Sequence, residues 1–490
     1  MMKKRSAPWA VVSSALLLSA VLSACNSGGN DPDGASPSGS SAGASSPSSA
    51  AASGSDSQTG ADGKTTLTVA VYTEDRFLKS AVEQFEQAHP DIDVQIQETM
   101  PTDTSEGKQT INIKNGPDEG PSAADKDKYI NSVNTALMSG NAADLISVNY
   151  LPVDRYLDKG MFEDWSQLAG QDSDFHTADY YENVLKGMSD SHGWYAIPID
   201  YQFNAILANK AALDKVGGID DKTWTWEQFV DLCKQIASAK NADGTNMHAL
   251  GGEKPEDVIG YLAESAYDKL VTKSGNTSKF DEEAFRGYLE LVKQLYDSGA
   301  VSADSLGKAN EVFSPMSMES PMQLATMPSK LGNNEGEVLH PPGSGQDEGF
   351  PFTSDLAFAL NARSKAKPAA WEFVKFLLSK DVQSLRELMG IPVQQAAAKQ
   401  KLEDTAQDIQ SGRAKIVSKG PDGSVQAITI TDEQIQAALA LLPSVGKYER
   451  KDDKVIDMIN EESASFFSGG KSADAVAKAV ASRVDTYLNE

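Results

Sequence analysis

The chain has 490 residues and carries 44 Lys and Arg against 70 Asp and Glu, a formal net charge of −26. A surface this acidic argues against a nucleic-acid backbone as partner, and two cysteines with five scattered histidines exclude a disulfide scaffold and leave little for a zinc site. Hydrophobic residues make up 40%, enough to bury cores, and at roughly 100–200 residues per domain the chain has room for two domains or more.

Lys3, Lys4 and Arg5 precede the apolar stretch Ala10–Leu22. That stretch is shorter than the roughly 20 residues a transmembrane helix needs, so the segment reads as an export signal. It ends in Leu22-Ser23-Ala24-Cys25, which resembles a bacterial lipobox. The resemblance implies that residues 1–24 are a signal peptide removed on export, and that Cys25 carries acyl chains such as palmitate that hold the protein on the outer face of the cell membrane. Asn26–Gly63 is rich in Ser, Gly and Ala and has no Val, Ile, Leu, Met or aromatic residue. With nothing to bury it is expected to be a disordered tether, spanning roughly 35 Å as a flexible coil. Residues 25–63 thus read as lipidated cysteine and linker, with folded protein from residue 64.

The folded part opens as strand, helix, strand. Thr66–Tyr72 has the β-branched content of a buried strand, Phe77, Leu78, Ala81, Val82 and Phe85 recur at helical spacing, and Ile92, Val94 and Ile96 alternate beyond the stop at His89-Pro90. This βαβ opening predicts an α/β protein with parallel-dominated sheets. Thr102–Asp127 reads as a long surface loop, followed by a polar helix over 128–138, a stop at Gly140, and a strand at Asp144–Val148. Thr225 with Gln228 forms a capping-box pattern before the apolar face Trp226, Phe229, Val230, Cys233, Ile236 and Ala237. Cys233 reads as a core thiol. The run Phe313–Met322 is methionine-rich and predicts packing, Ile416–Ile428 a hairpin turned at Gly420–Gly423, and Val476, Val480, Val484 and Leu488 a last amphipathic helix.

Several of these stretches resemble one family. Val82–Val94 looks like the first helix and second strand of the bacterial extracellular solute-binding proteins that serve ABC importers, in particular the carbohydrate-type family 1. Ser139–Ile146 is similar to that family's G-x-x-P-D step, with Ala143 in place of proline. Ala196-Ile197-Pro198, Leu207–Leu213, Gly217-Gly218 and Thr225–Phe229 follow the family's order, with Ala208 where an aromatic is common, and Ala370–Ser379 and Ser468–Ser472 continue it.

The resemblance implies a two-lobed, periplasmic-binding-protein-like fold with a ligand cleft between the lobes. It places the crossings near 197–204, 351–356 and 390–394, and so an N-lobe of 64–198 and 355–390 and a C-lobe of 199–354 and 391–490. Cleft residues are expected outside the carboxyl ends of the strands: Glu74 and Asp75 after the first strand, Asn149 and Tyr150 after the third, and Trp194, Asp200, Tyr201 and Asn204 at the crossing. Amides and carboxylates there suit hydroxyls, and aromatic faces suit the C–H side of a sugar ring. The implied function is capture of a small solute, a sugar or oligosaccharide, for delivery to an ABC permease, by a monomer that needs no cofactor.

Enzymatic motifs are missing: no G-x-S-x-G, no G-x-x-x-x-G-K-[ST], no H-E-x-x-H. No metal or catalytic residue is nominated, and the tandem Tyr180-Tyr181, a feature of ferric-ion binders, reads as packing. A same-fold surface sensor or binder of a non-sugar solute, or less so a secreted hydrolase, stands as the alternative.

Overall fold

The computed structural model describes residues 63–101, 122–240, 244–274, 277–302, 311–327, 336–419 and 425–489; the signal segment, Cys25, the tether to residue 62 and the Gly420–Gly423 turn lie outside them. Strand β1 (Thr65–Val71) buries Leu67, Val69 and Val71. It leads to α1 (Arg76–Ala88), whose first turn is held by the Asp75 carboxylate accepting from the Leu78 amide at 2.7 Å. Helix α1 lays Phe77, Leu78, Ala81 and Phe85 onto the sheet and stops at His89. Strand β2 (Ile92–Glu98) then runs parallel to β1.

Helix α2 (Ala123–Ser139) starts five residues earlier than its apolar pattern predicts, because the Ser122 hydroxyl caps it by accepting from the Asp125 amide. It ends at Gly140, whose φ of 76° is the left-handed closure a glycine adopts without strain. Strand β3 (Leu145–Ser147) is again parallel to β1, and α3 (Val153–Leu157) follows. After β4 (Ile197–Pro198) the chain crosses into β5 (Asp200–Asn209), the long central strand of a second sheet. The second lobe adds α4 (Trp226–Ser238), α5 (Pro255–Ser265), α6 (Glu282–Asp297), β6 (Phe313–Met318), β7 (Gly336–Leu339) and β8 (Phe350–Thr353). The chain returns to the first sheet as β9 (Ala357–Leu360) with α7 (Lys367–Leu377). It crosses again at β10 (Ile391–Pro392), α8 (Gln395–Gln410) and β11 (Val445–Tyr448), and ends in α9 (Asp453–Phe467) and α10 (Ala473–Asn489).

The first sheet has the order β2-β1-β3-β9-β4. Parallel pairing is confined to β1–β2 and β1–β3 there, since β9 returns from the other lobe and runs against both β3 and β4. In the second sheet β5 pairs antiparallel with β6, β7, β8 and β10, and β8–β11 alone is parallel. The expectation of parallel-dominated sheets is therefore corrected to mixed sheets: repeated crossings bring strands back reversed, which a βαβ opening does not reveal.

One apolar core runs from the first sheet, α1 and α7 through Tyr201, Phe203, Phe350 and Phe352 to α8. A second fills the opposite face of the β5 sheet with residues of α4, α5, α6, α9 and α10. Cys233 is fully buried in it, and burial pushes its thiol well above the usual range, so it is inert packing. Tyr180 and Tyr181 are buried as well, and the former stacks on Phe175. Of the methionine run, Met318 is core, whereas Met316 is half-buried and Met322 exposed. The capping box at α4 is complete, with the Thr225 amide donating to Gln228 Oε1 at 2.8 Å and the Gln228 amide to Thr225 Oγ1 at 3.4 Å. Thr225→Ala is expected to lower stability by about 1 kcal/mol, read as a lower denaturant midpoint with an unchanged slope.

Candidate ligand-binding cleft

Between the lobes lies a cavity of about 580 Å³, walled by Asn149 and Tyr150 after β3, by Thr353–Asp355 at the return crossing, and by Tyr267 and the 448–453 segment of the second lobe. A neighbouring pocket of about 350 Å³ shares Thr353, Glu449 and Lys451 with it and adds Gln202, Asn204, Trp226, Tyr261 and Met316. These sizes fall within the range of small-molecule sites.

At the crossing, the Asn149 amide nitrogen donates to the Asp355 carbonyl. Gln202 Nε2 lies 3.4 Å from Asp355 Oδ1. Burial, and then the nearby Asp75 charge, push the Asp355 carboxyl up. Tyr150 has φ +65°, a conformation unusual for a bulky residue. Its ring meets Tyr72 edge-on at 5.4 Å. Burial, then Asp355 and Asp453, push its hydroxyl up to about 12, so it stays protonated at neutral pH and serves as both donor and acceptor. Glu449 accepts from Asn204 Nδ2 at 2.8 Å, and burial pushes its carboxyl up to about 7. Lys451 is tied to Glu264 at 2.8 Å. On the aromatic side, Trp226 Nε1 donates to Ser265 Oγ at 2.7 Å and Tyr261 is 47% exposed, unusually open for its size. Hydroxyl-recognising groups and an aromatic wall thus line two neighbouring cavities that share Thr353, Glu449 and Lys451.

The residues nominated from sequence divide. Asn149 and Tyr150 line the cleft and Asn204 the adjoining pocket. Asp75 is spent capping α1, although its charge is felt at Asp355 and Asp200. The Glu74 amide donates to Glu98 Oε2, and Glu74 lines neither cavity. Asp200 is buried at the crossing itself: its Oδ1 accepts from the Leu356 amide at 3.3 Å and from Ser354 Oγ at 3.4 Å. Tyr201 and Trp194 are placed in the core and not in the cleft, a correction with a simple cause for the former. Along β5 successive side chains alternate faces, so Gln202 and Asn204 point toward the pocket while Tyr201 and Phe203 point inward. Trp194 packs in the first core, its carbonyl taking the Trp165 amide at 2.9 Å.

Asp355, Glu449, Lys451, Trp226 and Tyr261 were not nominated from sequence. Asp355 sits within a crossing the sequence did locate. The dense charges of Tyr448–Asp453 directly after a strand were the available signal for Glu449 and Lys451. Trp226 was read as part of a core face, yet only its helical neighbours are fully buried.

Among the described residues no group of three or more His, Cys, Asp or Glu is arranged to hold a metal ion, and no helix is long and apolar enough to cross a membrane.

The fold and the interlobe cleft define a solute-binding protein. The family model for bacterial extracellular solute-binding proteins matches residues 70–384, and the chain belongs to that family. A search among curated proteins finds no match. Among solved structures, the chain is similar to an extracellular solute-binding protein family 1 from Alicyclobacillus acidocaldarius, at 18% identity and a TM-score of 0.54 over 87% of this chain and 99% of that one. It is similar to the sugar-binding protein MalE of Xanthomonas citri at 15% identity and a TM-score of 0.55, over 86% and 97%. A periplasmic oligogalacturonide-binding protein of Yersinia enterocolitica aligns at 14% identity and a TM-score of 0.53, over 86% and 98%. At such identities the likeness is one of fold.

Proposed function

We propose that the protein captures a sugar or oligosaccharide in its interlobe cleft and delivers it to the membrane subunits of an ABC importer, acting as a binder and not as an enzyme. The observation that carries this reading is the pair of neighbouring cavities, of about 580 and 350 Å³: Asn149, Tyr150 and Asp355 offer hydrogen bonds in the first, and Gln202 and Asn204 offer them beside the rings of Trp226 and Tyr261 in the second. Hydroxyl-bearing ligands need that pairing of polar edge and aromatic face. The sugar-binding and oligogalacturonide-binding proteins that share the fold are in keeping with it. The N-lobe would comprise 64–198 and 355–390 and the C-lobe 199–354 and 391–490, and membership of the two sheets supports that division. Cys25, lipidated after removal of residues 1–24, would hold the monomer at the outer face of the cell membrane, with residues 26–63 as tether. Cys25→Ser should then move the protein from the membrane to the soluble fraction.

Capture requires the ligand to bind one arrangement of the lobes more tightly than the other. A thermal-shift screen against mono- and oligosaccharides, amino acids, polyamines and ferric ion tests the cargo. A ligand at a hundredfold excess over its Kd adds about 2.7 kcal/mol of stability. The expected result is a shift confined to carbohydrates, with no product formed, that Asp355→Asn and Tyr261→Ala each weaken at least tenfold in affinity. A shift with iron or a polyamine alone would replace the carbohydrate assignment, and turnover of the bound sugar would replace the transport reading by a hydrolase.

A further inference from the structure

The outer edge of the cleft, away from the crossings, is bridged from lobe to lobe by charged groups. Lys126 on α2, which packs on the first sheet, pairs with Asp453 at the start of α9 at 2.7 Å. One residue further on each helix the signs are exchanged: Asp127 faces Lys454 at 3.5 Å. Arg155 on α3 reaches across to the C-terminal turn of α10, where Nη2 donates to the Tyr487 carbonyl at 2.6 Å and the guanidinium lies 4.6 Å from that tyrosine's ring. A cation at a helix C-terminus satisfies an otherwise open carbonyl and complements the helix dipole. Arg450 of the second lobe is paired with Asp190 at 2.8 Å and with Asp154 of the first. Lys273, on the strand Val271–Ser274, pairs with Asp158 at the end of α3.

These contacts do not stabilise either lobe, because the partners of every pair belong to different lobes. They form only when the lobes come together. Their alternating signs also fix the register in which the edges meet, since a slip by one residue in one direction would set Lys126 against Lys454, and in the other Asp127 against Asp453. Lys126 and Asp453 keep 26% and 32% of their side-chain surface exposed, and Lys454 and Asp127 47% and 50%, so added salt screens both pairs. Arg450 is shielded to a similar extent, and burial lowers its pKa.

We propose that this edge is an electrostatic latch, in which reciprocal ion pairs between α2–α3 and the 450–454 segment, with Arg155 capping α10, hold the two lobes closed. The latch rests on the two-lobed fold; because Asp154, Arg155, Asp158, Lys273, Arg450 and Asp453 also line the cavity of about 580 Å³, it is tested with that cavity empty of cargo. Pulsed electron-resonance distances between spin labels at Glu83 on the first lobe and Glu283 on the second, both exposed, measure closure in the full chain with no cargo added. The buried Cys233 does not take up label, and Cys25→Ser removes the other native thiol. Lys126→Glu and Asp453→Lys each set like charges face to face, and each is expected to shift the closed-to-open ratio about tenfold toward open. The exchanged pair Lys126→Glu with Asp453→Lys is expected to recover most of the closed population. In the unaltered chain, raising salt from 50 to 500 mM should move the distance distribution in the same direction as the single reversals. The proposal is overturned if the single reversals leave the distances unchanged, if the exchanged pair opens as far as the two single changes combined, or if closure is insensitive to salt. The salt series decides the matter even where a reversed variant does not fold.

Discussion

Asp200→Asn is expected to stabilise the protein above pH 7, by on the order of 4 kcal/mol relative to its effect below pH 4. The carboxyl of Asp200 is buried where the lobes join, and burial first, then the charges of Asp355 and Asp75, raise it from an ordinary 3.8 to about 7. A group whose folded pKa exceeds its unfolded value contributes stability that is complete below the unfolded pKa and is lost as pH rises through the folded one. The native chain should therefore weaken steadily between pH 4 and pH 7, while the asparagine variant lacks that part of the slope. Glu449, also raised to about 7 by burial, contributes a slope of the same sign to both proteins and cancels in the difference. Lys401 acts the other way. Its ammonium is lowered to about 8 by burial and held up in part by Asp200, so a fraction of the gain is returned as pH approaches 8. Denaturant unfolding of both proteins at half-unit pH steps measures the difference, and parallel profiles would show that Asp200 keeps a near-normal pKa.

Gly390→Ala is expected to cost about 1–3 kcal/mol, the usual range for forcing atoms into filled space. A Cβ at Gly390 would lie 2.4 Å from Asp200 Oδ2 and 2.7 Å from its Cβ and Cγ. Asp200 also pairs with Pro392 across the β5–β10 register and accepts from Ser354 and Leu356. Its carboxylate is thus the point at which all three crossings meet, and the absent side chain at residue 390 lets the last of them pass close. In an Asp200→Gly background the same alanine should cost much less, so the double-mutant cycle should show a coupling above 1 kcal/mol. Additive costs would mean that the neighbouring backbone, and not Asp200, resists the methyl group.

Much of this architecture is legible in the chain because it depends on neighbours in sequence. The α1 stop at His89, the glycine closure of α2 and the capping box of α4 each involve residues within four positions of one another. The beginning of α2 was missed because Ser122 and Asp125 are both common in loops, and only the hydrogen bond between them makes a cap. Asn149, Tyr150 and Asn204 line the two cavities from strand ends or the crossing, positions that are legible in the chain. Tyr201 and Trp194 were overrated because residue type suggested a ligand contact while burial decided otherwise.

The sequence by itself determined the order of local elements, since periodicity, caps and breakers act over a turn or two of chain, while the stretches where the chain crosses between lobes came from the resemblance to the family and not from local pattern. Only the tertiary structure decided strand direction, which crossing residues turn inward, and the meeting of Asp355 with Gln202, Glu449 with Asn204 and Lys126 with Asp453. Those pairs are separated by more than 150 residues, and their energies depend on distance and burial in the folded molecule, quantities that no local pattern encodes.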